Sequence, residues 1–404
     1  MSKRIVFHID VNSAFLSWTA TQMVNEGKDD IRLVPSVISG DPNKRTSVVL
    51  AKSIPAKKYK INTGEPISMA IRKCPDLVIA PPDFQLYSKF SKAFKDICRE
   101  YTPVVQEFSI DECFLDMSGM EHIYPDIIAT AYEIKNRIKS ELGFTVNVGI
   151  GSNKLLAKMA SDFEKPDKVH TLFDYEIKQK MWVLPIRDLL FLGKATAEKL
   201  NSIGIKTIGE LAHMDIATLK SLVGNKASEQ LHNHANGIDD EPVDDSPREV
   251  KSYGHSITVE DNITDKETAY KLLLSLTDAA ASRMRANHVK AHCVCVNIRD
   301  NHFKNKSHQK QFDSPTDITS VIYNTAKDLF NEVWDGRTAL RLIGVTLTDI
   351  TKDGSEQLSL FGTDNTTDEK KQKLDSAVDA IRNKYGDSKI TLGSIMNTKR
   401  PKKK

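Results

Sequence analysis

The chain has 404 residues, of which 40% are hydrophobic and 27% charged, and its formal net charge at pH 7 is +3. The length predicts two to four domains, and the composition is that of an ordinary globular protein rather than a disordered one. No apolar run reaches the roughly 18 residues that a membrane span needs, and the N-terminus lacks the apolar core of a signal peptide, so we expect a cytoplasmic protein without membrane contact.

The first part of the chain alternates predicted strands and helices. Ile5, Phe7 and Ile9 alternate with more polar neighbours, which predicts a strand that ends at Asp10. The further predicted elements are a helix from Ser13, a strand over 45–53, a helix over 84–101, two short strands around a turn at 109–111, a helix over 125–142, a strand over 144–152 and a helix over 153–165. This order predicts a sheet with helices packed on it.

The rest of the chain changes character twice. Residues 184–213 have a helical pattern that Gly193 and Gly204 interrupt, and residues 234–252 are polar, with two prolines and an acidic run that indicate a linker. Strands are predicted again over 294–300 and 340–350, and a helix over 368–385 lies in an otherwise polar tail. The organisation is therefore sheet, helices, linker, second sheet and tail.

Positive charge is concentrated in two places. Between Arg283 and Lys310 the only acid is Asp300, against the basic residues Arg283, Arg285, Lys290, Arg299, Lys304, Lys306 and Lys310. Residues 399–404 form a basic end. Local patches of this kind indicate phosphate binding, although a solvated charged face fits the composition equally well.

The segment EFSIDECFLD, residues 107–116, places the adjacent acids Asp111 and Glu112 among apolar residues. Like charges side by side in a half-buried place are unfavourable unless they are exposed to solvent, paired with Lys or Arg, or bound to a cation. Asp10 also ends an apolar strand, so the three carboxylates meet if the two strands are neighbours. Such an oxygen-rich site suits Mg²⁺, and a pair of these ions is the usual device for phosphoryl transfer.

Four features together resemble the Y-family translesion DNA polymerases: FHIDVNSAF, SIDECFLDMS, VNVGIGSNKLLAKMASDFEKP and a pattern similar to a helix-hairpin-helix. The resemblance runs from about residue 4 to 361. It implies an α+β multidomain fold, a right-hand polymerase with a ferredoxin-like palm, small fingers, a helical helix-hairpin-helix thumb and an α+β little finger. The implied boundaries are palm 1–25 and 76–166, fingers 26–75, thumb 167–237, linker 238–250, little finger 251–350 and tail 351–404.

The resemblance also implies an activity, template-directed and error-prone DNA synthesis past lesions, as in SOS-type damage tolerance. The metal ligands would be Asp10, Asp111, Glu112 and the carbonyl of Val11, holding two Mg²⁺ ions. For the incoming nucleotide the family pattern implies a steric gate at Phe15, which is otherwise a helix core residue, and triphosphate contacts from Lys57 and Lys165. Ile54 stands where many members have tyrosine and Lys57 where they have arginine. Lys57, the length of the chain and the tail favour the UmuC-like branch over the DinB-like branch.

The implied partners are primer-template DNA, deoxynucleotides and a bacterial sliding clamp. The DNA contacts would come from Gly193 and Lys194 in the thumb and from Arg283, Arg285, Lys304 and Lys306 in the little finger. The family's thumb hairpin usually has two glycines, and Phe191 replaces one of them here. QLSLF resembles the clamp-binding motif through Gln357, Leu358, Leu360 and Phe361. The UmuC-like branch would add an accessory UmuD-like subunit.

Two other functions remain open at this point. A nucleotide cyclase on a similar palm would explain Asp10, Asp111 and Glu112, but it would leave the thumb pattern, the second sheet and QLSLF without a role. A non-catalytic DNA scaffold tethered to the clamp would explain those features, yet it would not need the three acids. Nucleotide incorporation that stops after a single carboxylate change would separate the scaffold from the polymerase.

Overall fold

The computed structural model describes residues 4–247, 249–352, 365–387 and 389–395. The chain divides after Pro247 into two compact units, each of which contains both strands and helices. In the described part of the chain, no helix is long and apolar enough to cross a membrane. The mixture of α and β elements over more than one unit agrees with the predicted fold class.

The first unit contains eight strands and ten α-helices within its described residues. The strands are β1 Val6–Val11, β2 Ser36–Ile38, β3 Ala51–Lys52, β4 Val78–Ala80, β5 Val105–Glu107, β6 Glu112–Asp116, β7 Val146–Gly151 and β8 Val169–Leu172. The helices are α1 Ala14–Asn25, α2 Ile54–Lys57, α3 Ile67–Lys73, α4 Phe84–Arg99, α5 Ile127–Leu142, α6 Lys154–Ser161, α7 Lys194–Ser202, α8 Ile208–Ala212, α9 Ile216–Val223 and α10 Asn225–Ala235. They build one five-stranded sheet, one three-stranded sheet and a helical region.

The five-stranded sheet has the order β5-β6-β1-β7-β8, with β1 antiparallel to both β6 and β7. All six residues of β1 are buried because helices cover both faces of the sheet. Phe7 and Ile9 pack into the core that α1, α4 and α5 complete. Since side chains alternate along a strand, His8 and Asp10 lie on the other face, where His8 contacts Ser161 of α6. Asp10 is therefore on the α6 side of the sheet.

Glycine at position 149 lets α6 approach β7 closely. A Cβ atom there would lie 2.0 Å from the carbonyl oxygen of Ala157 and 2.4 Å from the backbone nitrogen of Ser161. We expect Gly149→Ala to destabilise the first unit by about 3 kcal/mol, because backbone atoms have to move. A fall in the melting midpoint in circular dichroism would measure it. Gly193→Ala is the control, since its Cβ would meet nothing within 4 Å, and equal midpoints for the two variants would contradict the prediction.

The small sheet has the order β3-β2-β4 and corrects one predicted strand. Of residues 45–53, only Ala51–Lys52 form a strand, and Val48 makes an isolated bridge to Pro66. The preceding loop is held by side-chain hydrogen bonds instead, such as the one from the Ser47 hydroxyl to the Asp41 carbonyl at 2.7 Å. The β-branched residues Thr46, Val48 and Val49 suit a strand, but serine hydroxyls also stabilise turns.

The predicted linker is attached to the first unit over much of its length. Residues 238–247 have no regular secondary structure, but the Asp239 carboxylate accepts a hydrogen bond from the backbone of Leu155 at 3.1 Å. Glu241 pairs with Lys154 at 2.9 Å, and Val243 is buried. Contacts of this kind fix the course of residues 239–243 along the sheet.

The second unit has one sheet with the order β11-β10-β12-β9. Its elements are the strands β9 Ser252–Ile263, β10 Val289–Asp300, β11 Asn305–Thr316 and β12 Leu340–Lys352, and the helices α11 Lys266–Ala286, α12 Thr319–Val333 and α13 Asn365–Tyr385. Side chains of α11 and α12 form the core with the sheet. Helix α13 lies close to its predicted bounds. It binds α11 through an ion pair, in which Arg382 donates to both carboxylate oxygens of Asp278 at 3.0 Å.

Candidate functional site

The structure brings the three predicted carboxylates to one end of the five-stranded sheet. Asp10 near the end of β1 is the register partner of Glu112, the first residue of β6. Asp111 precedes β6, and its carbonyl accepts a hydrogen bond from the backbone of Val11 at 3.0 Å. The two strands are thus neighbours, as the sequence required for the acids to meet.

Two lysines neutralise these acids. Lys165 binds the Asp10 carboxylate and also Asp162, the latter at 2.7 Å. Lys158 of α6 binds Glu112 at 2.7 Å. Burial raises the pKa of Asp10 to about 6, even though the charge and hydrogen bond of Lys165 lower it. Burial disfavours the ionised form of a carboxyl, so a nearby positive charge stabilises that form most where the carboxyl is buried.

Sequence reasoning did not identify His8 and Lys158, which lie beside Glu112. The imidazole of His8 is fully buried, its Nδ1 lies 2.8 Å from the Ser161 hydroxyl, and its Nε2 lies 3.9 Å from the Glu112 carboxylate. Burial and the charges of Lys158 and Lys165 lower the pKa of His8 well below its usual value. The sequence did contain a signal for His8: it is a histidine inside an apolar strand, and it lies two residues before Asp10 and hence on the same face.

The donor set fits a hard divalent cation, although the side chains as they lie do not form a finished site. Asp10, Asp111 and Glu112 offer only oxygen atoms, and the Asp10 side chain is 10% exposed, so a cation there would offset a buried negative charge. Within the described ranges, no three His, Cys, Asp or Glu side chains form a group that could hold a metal ion. The carboxylates of Asp10 and Glu112 face the ammonium groups of Lys165 and Lys158 instead.

A cleft of about 450 Å³ opens beside Asp10. Its walls come from β1, α1, β3, α2 and the loop at 165–166, and the predicted site residues among its lining are Asp10, Val11, Phe15, Lys57, Asp111 and Lys165. Glu112 does not line this cleft. Acidic groups, an aromatic ring, three lysines and an arginine therefore surround one volume.

Phe15 is both a wall of the cleft and a packed side chain. Its ring stacks on Tyr87 with the centroids 4.6 Å apart and the planes 21° apart. Phe84 lies edge-on at 6.3 Å, and Tyr87 itself is fully buried. The aromatic neighbours fix the orientation of the Phe15 ring, so the two interpretations offered by the sequence are compatible.

A further nucleotide candidate, Lys57, lies on α2, a helix of one turn. Ser53 caps it by accepting a hydrogen bond from the backbone of Ala56. Lys57 at its end is exposed and lines the cleft, and Ile54 at its start is 52% exposed and lines it as well. The departure from the family pattern at these two positions therefore bears on the same cleft.

The predicted thumb residues lie at the start of α7. Gly193 is its N-cap residue, Lys194 is its first residue, and open space surrounds the position of a Gly193 Cβ. Lys194 is exposed and lies 3.6 Å from Glu198. Phe191, which replaces a glycine, has a φ of 66° and is 62% exposed. The backbone at this turn is open to a ligand.

The structure corrects one of the four predicted DNA contacts in the second unit. The Arg285 side chain is 8% exposed, binds Asp379 at 2.7 Å and donates to the Asp317 carbonyl at 2.7 Å, so it is not available to phosphate. Arg283 is half-buried and donates to the Gly254 carbonyl at 2.6 Å. Lys304 and Lys306 are exposed near the turn between β10 and β11. The predicted clamp residues 357–361 and the basic end at 399–404 lie outside the described residues.

The comparisons with known proteins cover most of the chain. The model of the impB/mucB/samB family matches residues 9–162, the model of that family's C-terminal domain matches residues 250–360, and a DNA polymerase-iota thumb-domain model matches residues 187–239. The chain is 44% identical to a DNA polymerase IV of Clostridium acetobutylicum over 100% of both chains. It is 36% identical to a DNA polymerase IV of Clostridium kluyveri over 97% of this chain and 98% of the relative. A solved Y-family DNA polymerase chimera, 24% identical, covers 86% of this chain and 100% of its own with a TM-score of 0.74.

Proposed function

Since the chain belongs to the Y-family of DNA polymerases and is a translesion DNA polymerase, we propose that it extends a primer opposite damaged template in the cleft beside Asp10. The likeness to the chimera confirms the predicted right-hand α+β fold. The expected UmuC-like branch is corrected, because full-length relatives are DNA polymerase IV proteins and support a DinB-like enzyme. That expectation depended on Lys57, the length of the chain and the tail. The expectation of a UmuD-like subunit depended on the same branch.

The observation that carries this proposal is the composition of the cleft, in which carboxylates, an aromatic ring and three lysines share one volume. Enzymes of this family depend on divalent metal ions, and we propose two Mg²⁺ ions held by Asp10, Asp111, Glu112 and the Val11 carbonyl. When bound, they would lower the pKa of the primer hydroxyl and stabilise charge on the transferred phosphate and the leaving group.

The remaining groups bind and orient the nucleotide. Lys57 and Lys165 are positive charges on the cleft wall that suit a triphosphate, although a lysine lacks the two-pronged geometry of arginine. Lys158 holds the Glu112 carboxylate through an ion pair at 2.7 Å, and the buried His8 imidazole lies beside it. Phe15, fixed by Tyr87, would lie beneath the sugar and leave no room for a 2′-hydroxyl.

Removing the Phe15 ring is expected to admit ribonucleotides. Phe15→Ala should lower the preference for deoxynucleotide over ribonucleotide by roughly 10–200-fold, because steric exclusion of one small group is worth that much in a fitted pocket. Single-nucleotide insertion of dCTP and rCTP opposite guanine measures the ratio of kcat/KM. Tyr132→Ala removes an exposed ring outside the cleft and should leave the ratio unchanged. An unchanged ratio in Phe15→Ala would show that this ring only packs.

The DNA and the clamp are the proposed macromolecular partners. Gly193 and Lys194 in the first unit and Arg283, Lys304 and Lys306 in the second would contact backbone phosphates, which suits an enzyme that accepts any template. QLSLF would bind a bacterial sliding clamp, and this tether would raise the local concentration of an enzyme that releases DNA readily. We place this activity in the cytoplasm, in an SOS-type response to DNA damage.

Primer extension tests the proposed function. The full chain, Mg²⁺ and all four deoxynucleotides are incubated with a primer on an undamaged template and on one with an abasic site. We expect products that pass the abasic site. If neither template supports extension, even with the clamp present, the chain acts as a scaffold rather than as a polymerase.

A further inference from the structure

An exposed aromatic ring stands at the turn between β10 and β11. Phe303 is 62% exposed and has a φ of 64°, a backbone conformation that a bulky residue adopts at a cost. The Asp300 carboxylate holds the turn by accepting hydrogen bonds from the backbone of His302 at 2.8 Å and Lys304 at 2.9 Å. The backbone of Asn301 also donates to the Ala339 carbonyl at 3.0 Å. Phe303 is therefore presented on a rigid turn.

A β-bulge brings a guanidinium group to this ring. In the pairing of β10 with β12, Arg299 is opposite Leu342 and Asp300 is opposite Leu340, so Arg341 is the extra residue. Bulges redirect side chains, and the Arg341 guanidinium lies 4.9 Å from the Phe303 ring centroid. The aromatic and the cation come from positions almost 40 residues apart and meet only through the sheet.

The surroundings of the ring are charged rather than apolar. Lys304 and Lys306 are exposed beside it, and Arg299 lies at the end of β10 with its Nε 2.7 Å from the Asn305 side chain. Among residues 301–306, Phe303 is the one large apolar side chain. A protein partner would require a broader apolar surface than a single ring, whereas a nucleic-acid base requires one flat face and a positive neighbourhood.

We propose that Phe303 and Arg341 form a stacking platform for a base of single-stranded DNA, with Lys304 and Lys306 on the adjacent phosphates. This inference rests on the proposed DNA-binding function and adds a preference for an unpaired strand. Aromatic rings and arginine planes stack on any base, so the platform tolerates every template sequence. Hydrogen bonds already hold the turn that carries Phe303, so binding DNA would cost little further conformational entropy, which favours affinity.

Fluorescence anisotropy on the full chain without nucleotide tests the platform. The probes are a labelled oligothymidine and a labelled blunt duplex, at one salt concentration. Phe303→Leu is expected to weaken oligothymidine binding about tenfold and to leave duplex binding unchanged. Phe303→Trp should retain the affinity, and oligothymidine should quench its fluorescence more than that of the wild type. Arg341→Lys, which keeps the charge but not the plane, should fall between wild type and Phe303→Leu.

Tyr385→Leu is the matched control, because Tyr385 is 58% exposed and Lys384 lies over its ring at 5.2 Å. It should bind both probes as the wild type does. Wild-type affinity for oligothymidine in Phe303→Leu, or an equal loss in Tyr385→Leu, would overturn the platform. If the wild type binds neither probe, the DNA-binding function itself fails. If the wild type binds DNA and Phe303→Leu binds oligothymidine equally well, only the platform fails and the DNA-binding function stands.

Discussion

Asp111→Asn and Glu112→Gln are each expected to reduce primer extension roughly a hundredfold to a thousandfold or more, because fixed charge at a developing phosphate is usually the largest catalytic contribution. Both substitutions keep the side-chain size and remove one negative charge. Asp111 lines the cleft, and Glu112 lies behind it, paired with Lys158 at 2.7 Å. The measurement is kcat for extension of a primer by one nucleotide with Mg²⁺, at saturating DNA.

Glu107→Gln is the matched control for these variants. Glu107 belongs to the same hairpin, but its side chain is 54% exposed and pairs with Lys95 and Arg99 at 2.9 and 2.7 Å. We expect nearly wild-type extension from it. Extension at the wild-type rate by Asp111→Asn would refute the assignment of this acid, and a melting midpoint equal to that of the wild type would exclude unfolding as the reason for a loss.

The carboxylate site was predictable because its geometry depends on local rules. Alternation along β1 places Asp10 on one face of the sheet. The hairpin of β5 and β6 places Asp111 and Glu112 at the start of β6, the neighbouring strand. Only the adjacency of β1 and β6 had to be assumed, and the structure has it. The lysine partners were harder to predict, since Lys158 reaches Glu112 only after α6 packs on β7 through Gly149.

Contacts between distant parts of the sequence explain why Arg285 was wrongly predicted and why Phe303 was missed. Arg285 looked like a phosphate ligand because its acidic partners, Asp375 and Asp379, lie about 90 residues later on α13. Nothing near Arg285 in the sequence signals that pairing. Phe303 was missed for a similar reason, since only the bulge in β12 brings Arg341 to its ring.

Arg382→Met is expected to destabilise the second unit by about 3 kcal/mol, because the substitution removes the guanidinium that binds both oxygens of the buried Asp278 carboxylate. The Arg382 side chain is fully buried and the Asp278 side chain is 5% exposed. The guanidinium donates to both carboxylate oxygens at 3.0 Å, a two-pronged geometry that lysine lacks. Faster hydrogen exchange in β10 and β12 would report the loss for this unit alone.

A double-mutant cycle decides whether the ion pair or apolar packing holds α13 on the second unit. Buried ion pairs replaced by apolar residues of similar size often recover stability, so Arg382→Met with Asp278→Leu should be more stable than Arg382→Met alone. Lys271→Met is the control on the same helix as Asp278, since its pair with Glu267 is exposed and worth under about 1 kcal/mol. A double variant as unstable as the single one would mean that packing holds the helix. Helix α13 follows the region that the model of the family's C-terminal domain matches. Recovery of stability would make this helix an integral part of the second unit, in which its acids neutralise Arg285.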